Sequence, residues 1–369
     1  MKKHQLIAGV VVMAALILLV VWSHSRIPFN SGVFRAQLAL ADWRKIAVGM
    51  LCIYAGFVFR SVRWAMLLRH TRRVPSLSLV GTQVIGFTAV ALIGRVADLV
   101  RPYLVARKTG LTLSSQIAVY IVERLFDAGA MGLLFSLALL QVPQADVLQA
   151  IRQTGHMSFL LHRNPELAAD LLRYGGLVLT VCGALFLVGI RLGGEAIARF
   201  FERAFGLVSH KLGHAAGHKI RMFHAGLDTI RSFSDFAVTA SLSIAMWILI
   251  AAAYFETIRA FTASPELASV SVGKCVLLML ISGGASAFQL PVIGWFSQIF
   301  IMTVALAGVL GAGHEAATAC AATLLLVTFL GIMPVGLIWA QFENVSLRRI
   351  TVESEHAGEQ LDDGSGSVD

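Results

Sequence analysis

The segment GRVADLVRPYL (residues 94–104) places two arginines and an aspartate beside a glycine and a proline in apolar surroundings. Proline biases the residue before it away from helix but suits the first turn of a new helix. The N–H groups at that helix start, together with Arg95 and Arg101, would bind an anion, and in a membrane the obvious anion is a lipid phosphate. Asp98, three residues from each arginine, would pair with them when no anion is bound. The alternative is that both arginines extend to the headgroup region and bind nothing specific.

The segment VERLFD carries Glu123, Arg124 and Asp127 on an apolar stretch that starts near Leu113. Only 13 apolar residues, Ala128–Leu140, follow it. They give about 20 Å of helix, against the roughly 30 Å needed to cross a membrane, so the charges would lie inside the hydrocarbon. Each charge costs about 2.5–3.5 kcal/mol there unless it is paired or hydrated. The trio either lines a substrate path beside Arg101 or is a structural ion cluster that joins neighbouring helices.

The elements that must position these charges are membrane helices. The chain has 369 residues, of which 57% are hydrophobic and 14% charged, whereas soluble domains carry about 25% charged residues. An apolar run of roughly 20 residues spans a bilayer. The sequence predicts an all-α polytopic membrane protein with about six full spans, at 6–22, 45–68, 113–140, 173–190, 236–258 and 315–340.

Two further apolar segments, 78–94 and 274–312, are interrupted by Gly, Ser, Gln or Pro. Each is predicted to be a broken or re-entrant hairpin, one from each membrane face, and the chain would have eight spans if both crossed. The order of span, broken segment and span occurs twice from opposite sides, which is typical of an inverted repeat and of a transporter's binding site. The inverted repeat is inferred only from the order of the segments. The alternative is that the two halves resemble each other by chance.

The arrangement of Lys and Arg predicts orientation. Residues 60–73 carry five arginines and residues 191–235 carry seven basic residues, so both segments are assigned to the cytoplasmic side. The protein is predicted to lie in the plasma or inner membrane. Both termini then lie in the cytoplasm, although Arg44 and Lys45 do not fit this scheme. Residues 1–345 form the predicted membrane domain, whose first run is an uncleaved anchor. Residues 346–369 form a predicted acidic, disordered tail.

Several other functions have little support. No nucleotide-binding, metalloprotease or hydrolase motif is present, and no segment is long and polar enough for a separate catalytic domain. His210, His214 and His218 extend over some 12 Å of helix, too far for one metal ion. With neighbouring lysines they predict a basic strip that contacts anionic lipid headgroups. No metal, cofactor or nucleic acid is predicted, despite the net charge of +9.

A family resemblance rests on three segments: FVFRSVRWAMLL (57–68), GRVADLVRPYLVARKTG (94–110) and VERLFD (122–127). They resemble the flippase-like family typified by the membrane region of lysylphosphatidylglycerol synthases, over most of residues 5–345. The resemblance implies a lipid-facing cavity, re-entrant helices and movement of phospholipids or lipid-linked groups between leaflets. The positions that match the family pattern are Arg63, Gly94, Arg95, Arg101, Pro102, Glu123, Arg124 and Asp127.

The sequence departs from that family in two ways. Many members have Gly-x-x-Glu in the late broken segment, whereas PVIGWFSQ (291–298) has Gly294 and then the neutral Gln298. The chain also lacks the soluble aminoacyl-transferring domain of the bifunctional synthases, so it cannot make lysylphosphatidylglycerol by that route. These departures leave the substrate's headgroup open.

The predicted function is a lipid translocase that passes a headgroup through a charged groove while the acyl chains stay in the bilayer. Its partner would be a membrane phospholipid or a lipid-linked substrate, and self-association is left open. The predicted substrate-binding residues are Arg63, Arg95, Asp98, Arg101, Glu123, Arg124, Asp127 and Gln298. The alternative is a membrane-embedded enzyme with Glu123 or Asp127 as general base. The sequence favours the translocase over an enzyme, because no pair of nucleophile and base is evident. A scaffold role has the weakest support.

Overall fold

The computed structural model describes residues 29–141, 164–206, 232–285 and 293–343. Within these ranges the chain is helical and forms no strand, which confirms an all-α polytopic membrane protein. The predicted run 6–22, the histidine segment and the tail 346–369 lie outside the described residues. The helices are α1 Ser31–Ala39, α2 Trp43–Leu68, α3 Val80–Ile93, α4 Val100–Thr109, α5 Leu113–Leu140, α6 Pro165–Gly206, α7 Phe233–Arg259, α8 Pro265–Ala268, α9 Val272–Ala285, α10 Ile293–Leu310, α11 His314–Leu325 and α12 Met333–Phe342.

Four helical stretches in the described part are long and apolar enough to cross a membrane: Trp43–Leu68, Ser76–Ile93, Phe233–Arg259 and His314–Phe342. The last comprises α11 and α12, joined through a π turn at Leu326–Leu330, so the predicted run 315–340 is not one regular helix. Helix α5 is 28 residues long, about 42 Å, which also suffices for a crossing. The predicted run 173–190 lies within the longer α6.

Helices α2 and α7 form an antiparallel pair at the centre of the fold. At one end the Asp42 N–H donates to the Ala260 carbonyl at 2.8 Å. At the other end Arg69 pairs with Asp235, which also caps the start of α7 together with Ser232. We call the Arg69 end the first face of the molecule and the Asp42 end the second face. A Cβ at Gly49 would lie 2.7 Å from the Thr257 hydroxyl, so glycine allows this pair to pack closely.

A hairpin of α3 and α4 enters from the first face. Gly94, with φ of 91°, ends α3, a 3-10 turn follows over Arg95–Leu99, and α4 returns. Together with the 3-10 turn at Ser76–Leu79, α3 reaches the length of a crossing. Helix α4 has only 10 residues, about 15 Å, which is short of the roughly 30 Å of hydrocarbon. Gly110, which ends α4 at φ of 68°, lies beside Arg72 on the first face, so the hairpin begins and ends on that face.

The first broken segment is part of a hairpin, as predicted, but the chain is interrupted at a different place from the one predicted. Residues 80–93 form an unbroken helix, and the interruption comes only at Gly94. The glycines inside α3 serve close packing instead: a Cβ at Gly81 would collide with the Trp339 indole, and one at Gly86 with the side chain of Arg101. A small residue leaves space for a neighbouring side chain without altering the hydrogen bonding of its own helix.

A second hairpin, α9 and α10, enters from the opposite face. The hairpin starts after α8, which lies on the second face. It ends just before α11, whose Glu315 accepts a hydrogen bond from the Asn30 N–H at 3.1 Å on the same face. Both ends of the hairpin therefore lie on the second face. Residues 286–292 between its two helices lie outside the described ranges. The Trp295 indole donates to the Ala91 carbonyl at 3.1 Å, so the two hairpins meet.

The two halves repeat in inverted order around the α2 and α7 pair. Helix α3 of the first hairpin packs against α12 of the second half, and α9 of the second hairpin packs against α5 of the first half. Each half thus contributes one long helix, one hairpin and one flanking helix, starting from opposite faces. This packing supports the inverted repeat predicted from the layout of spans.

Labelling of single cysteines tests the assignment of faces. In a background with the four native cysteines replaced by alanine, Arg72→Cys and Thr262→Cys place thiols at exposed positions of the first and second face. We expect a membrane-impermeant thiol reagent to label Thr262→Cys in intact cells and Arg72→Cys only after lysis, because basic residues favour the cytoplasmic side. The reverse pattern would overturn the orientation alone. Labelling of both in intact cells would contradict the packing.

Candidate functional site

Charged side chains from three helices meet inside the apolar helix assembly. Arg60 and Arg63 come from α2, Arg101 from α4, and Glu123, Arg124 and Asp127 from α5. We call these six residues the arginine cluster. Arg63 and Glu123 are each 1% exposed, so the core of this cluster is sealed from the surface. A buried charge is tolerated only when it is paired and hydrogen-bonded, which makes the pairing pattern decisive.

Arg63 is the central cation of the cluster. Its Nη2 donates to Glu123 Oε1 at 2.5 Å, and its Nη1 donates to Asp127 Oδ1 and to the Ser243 hydroxyl, both at 2.6 Å. Glu123 and Asp127 are one turn apart on the same side of α5, so a single planar guanidinium reaches both carboxylates. Arg63 thereby connects α2, α5 and α7.

Arg101 completes the pairing of Glu123 and lies in an aromatic cage. Its Nη2 donates to Glu123 Oε2 at 2.5 Å. Its guanidinium carbon is 5.3 Å from the ring centroid of Trp64, 4.9 Å from that of Phe87 and 5.1 Å from that of Tyr120. Aromatic faces attract a cation, and the attraction grows when water is excluded. The Arg101 side chain reaches this position because Gly86 on α3 leaves room for it.

Arg60 and Arg124 lie at the edge of the cluster and are less fully paired. Arg60 Nη1 is 3.9 Å from Asp127 Oδ2, beyond hydrogen-bonding distance, and within the described part of the chain it has no hydrogen-bond acceptor although it is buried. Arg124 Nη2 is 3.5 Å from the same oxygen. The Arg124 side chain is 37% exposed, so it forms the accessible side of the cluster.

The arginine cluster contains more positive than negative charge. Four guanidinium groups face two carboxylates, which leaves an excess of two positive charges among these residues. Four buried N–H positions, at Nη1 of Arg60 and Nε of Arg63, Arg101 and Arg124, have no acceptor in the described structure. Excess positive charge and unused guanidinium donors are the chemistry that binds an anion with several oxygens, such as phosphate, although Asp127 Oδ2 is also buried without a hydrogen-bond partner in the described structure.

The structure brings together five of the eight predicted site residues: Arg63, Arg101, Glu123, Arg124 and Asp127. Arg60 was missed, although its position three residues before Arg63 places both on one side of α2. Arg95 and Asp98 belong to the 3-10 turn at the tip of the first hairpin. The side chain of Arg95 lies outside the described part, and a pairing role for Asp98 stays a prediction.

One detail of the opening segment differs from expectation. Arg101 is not excluded from helix by Pro102, because α4 already begins at Val100 and the proline occupies its first turn, where no N–H donor is required. Glu123 of α5 supplies a carboxylate to Arg101, which the sequence did not predict. Gly110 ends α4 as predicted, in the left-handed conformation that glycine adopts readily.

Gln298 belongs to a second, uncharged group of residues. Its Nε2 donates to the Ser282 hydroxyl oxygen at 3.2 Å, and that oxygen also accepts from the Tyr254 hydroxyl at 2.7 Å. We call Tyr254, Ser282 and Gln298 the neutral cluster. They come from α7, α9 and α10, whereas the arginine cluster is built on α2, α4 and α5.

The helical membrane fold agrees with the outcome of a comparison with protein families. The family model for the lysylphosphatidylglycerol synthase TM region matches residues 6–336. The chain belongs to this family. Membership of the family places it among multi-pass membrane proteins that handle lipids, and it confirms the resemblance found in the three sequence segments. Searches among curated proteins and among solved structures found no match.

Proposed function

We propose that the protein is a lipid translocase in which the arginine cluster binds the phosphate of a lipid headgroup during passage between leaflets. The single observation that carries this proposal is the excess of two positive charges in a buried cluster with unused N–H donors. A lipid phosphate would supply the missing negative charge and accept those hydrogen bonds. Nothing in the sequence resembles a nucleotide site, so transport would be downhill or coupled to an ion.

The position of the cluster supports passage across the membrane. Glu123 lies ten residues after the start of α5, about 15 Å along the helix from the first face. A purely interfacial site would lie at the ends of the helices. A headgroup bound at this depth has already left the interface while its acyl chains remain in lipid.

The surface around Arg124 supports access from the bilayer. Its neighbours Ile121 and Leu125 on α5 are exposed apolar side chains, at 44% and 40%. In a membrane such side chains face lipid, so the accessible arginine lies on an apolar surface. An acyl chain could pack on that surface while the headgroup reaches the cluster beside Arg124.

The same pairing argues against the enzyme alternative. A general base must accept a proton, but Glu123 and Asp127 both accept short hydrogen bonds from Arg63. Neighbouring positive charge stabilises the ionised form of a carboxylate and weakens it as a base. We therefore propose no enzymatic activity for these residues. The discriminating observation is mass, since a translocase returns the same lipid and an enzyme alters it.

Leaflet exchange in proteoliposomes tests the proposal. Phospholipids labelled on an acyl chain are incorporated in both leaflets, and a membrane-impermeant reductant removes the outer label. We expect the wild-type protein to exchange an anionic phospholipid with unchanged mass. Arg124→Gln should slow exchange about tenfold, because loss of one charged hydrogen bond costs roughly 1.5 kcal/mol.

The matched control is Arg107→Gln, which removes an exposed arginine on α4 outside the cluster. This variant should exchange lipid at the wild-type rate. Equal slowing in both variants would mean that net charge, and not the cluster, governs exchange. Failure of the folded wild-type protein to exchange any lipid would overturn the translocase proposal.

A further inference from the structure

The neutral cluster lies at the position that the inverted repeat makes equivalent to the arginine cluster. Arg63 is five residues before the end of α2 near the first face, and Tyr254 is five residues before the end of α7 near the second face. Arg101 and Gln298 each lie near the start of the second helix of their hairpin. The fold therefore contains two buried polar clusters in equivalent positions, and only one of them is charged.

The neutral cluster has hydrogen-bonding capacity that its own residues do not use. Gln298 is 3% exposed, and its Oε1 has no donor partner in the described part of the chain. Ser282 accepts two hydrogen bonds through its oxygen, so its own hydrogen remains available to donate. An orphan acceptor beside an available donor is costly when buried and matches a ligand hydroxyl, which both donates and accepts.

Helix α7 connects the two clusters. Ser243, which binds Arg63, and Tyr254 of the neutral cluster are separated by eleven residues, about 16 Å along the helix. Trp247 lies between them on the same side of α7, one turn after Ser243, and its indole N–H also lacks an acceptor in the described structure. Polar groups therefore continue along one side of α7 from the arginine cluster toward the second face.

We infer that the neutral cluster is a second headgroup half-site, which binds uncharged hydroxyl groups, so that the transported lipid carries an anionic phosphate and a hydroxyl-bearing, uncharged headgroup. This inference depends on the proposed function, because it names the substrate class of the same pathway. A headgroup that carries an ammonium would meet no carboxylate at Tyr254, Ser282 or Gln298. Burying such a cation without a counter-charge is strongly unfavourable.

Exchange of four lipids in proteoliposomes tests this inference. The probes are acyl-labelled phosphatidylglycerol, phosphatidic acid, phosphatidylcholine and the lysyl ester of phosphatidylglycerol. The wild-type protein should exchange phosphatidylglycerol at least about tenfold faster than the lysyl ester or phosphatidylcholine, as expected for an unpaired buried charge. Gln298→Leu should slow phosphatidylglycerol about tenfold and phosphatidic acid, which has no headgroup hydroxyl, less than about threefold.

Gln298→Glu keeps a similar shape and adds a negative charge. It should raise the rate of the lysyl ester relative to phosphatidylglycerol about tenfold, because a carboxylate can pair with the ammonium. The matched control is Thr303→Val on the same helix, whose hydroxyl donates to the Ile299 carbonyl of its own helix at 2.8 Å. This control should leave the headgroup preference unchanged.

The outcomes separate the inference from the translocase proposal. Exchange with no headgroup preference, a preference for the lysyl ester, or equal effects of Gln298→Leu on both anionic lipids would overturn the neutral half-site and leave the translocase standing. Absence of exchange for all four lipids by folded wild-type protein would overturn both. Melting curves in detergent establish that each variant is folded before its rates are compared.

Discussion

Arg63→Met is expected to lower the free energy of unfolding by about 3–5 kcal/mol, because it removes the cation that two buried carboxylates share and leaves Asp127 without a hydrogen-bonded arginine. Arg63 donates to Glu123, Asp127 and Ser243, and these contacts join three helices. Methionine fills similar space but cannot neutralise either carboxylate. The decrease in the free energy of unfolding therefore reflects the unpaired buried charge more than a loss of packing. Denaturation of the purified protein in detergent, followed by circular dichroism, measures the change.

Two further variants distinguish charge from volume. Arg107→Met removes an exposed arginine and should change stability by less than about 0.5 kcal/mol. Adding Asp127→Asn to Arg63→Met removes the carboxylate that loses its short hydrogen bond, while Glu123 stays paired with Arg101, so the double variant should recover part of the loss. If Arg63→Met were as stable as the Arg107→Met control, the cluster would not hold these helices together. If the double variant recovered nothing, the loss would come from packing.

Gly86→Ala is expected to displace Arg101 from Glu123 and to disrupt both stability and lipid exchange. A methyl group at this position would collide with Cγ of Arg101, in the middle of a side chain that the aromatic cage holds in place. Overpacking of this kind costs about 1–3 kcal/mol. Displaced from its carboxylate, Arg101 should also support exchange poorly, and we expect a loss of about tenfold or more. Thermal unfolding and the proteoliposome assay measure the two effects.

Gly56→Ala is the matched control for this prediction. Gly56 is also buried within a helix, but a Cβ there would meet no atom within 4 Å. Alanine should be neutral or slightly stabilising at this position, since glycine costs a helix about 1 kcal/mol relative to alanine. Similar behaviour of the two alanine variants would show that Arg101 can move away from α3 without consequence.

The predictions that succeeded came from local patterns. The charges of VERLFD were expected inside the membrane because the apolar run after them is too short to place them at an interface. The structure shows two of the three, Glu123 and Asp127, buried in a helix of 28 residues. Such features depend on neighbours in sequence, which a sequence displays directly.

The predictions that differed concern which side chains meet. Arg101 is held by Glu123 at a separation of 22 positions, and Arg63 reaches the same carboxylate across 60. The glycines at 81 and 86 predict interruptions of a helix, whereas in the structure both leave room for side chains from other helices. Spacing along the chain does not show which side chains far apart in sequence will meet, because that depends on how the helices pack.

The sequence by itself determined that this protein lies in a membrane and that it is helical, because apolar length and the cost of buried charge are properties of each segment alone. It predicted the inverted order of the spans only from their layout. Only the tertiary structure decided that Arg60 joins the arginine cluster, that two carboxylates share one arginine, and that Gln298 belongs to a separate neutral cluster. Those contacts join helices far apart in the chain, and side-chain hydrogen bonds exist only where packing brings donor and acceptor within about 3 Å.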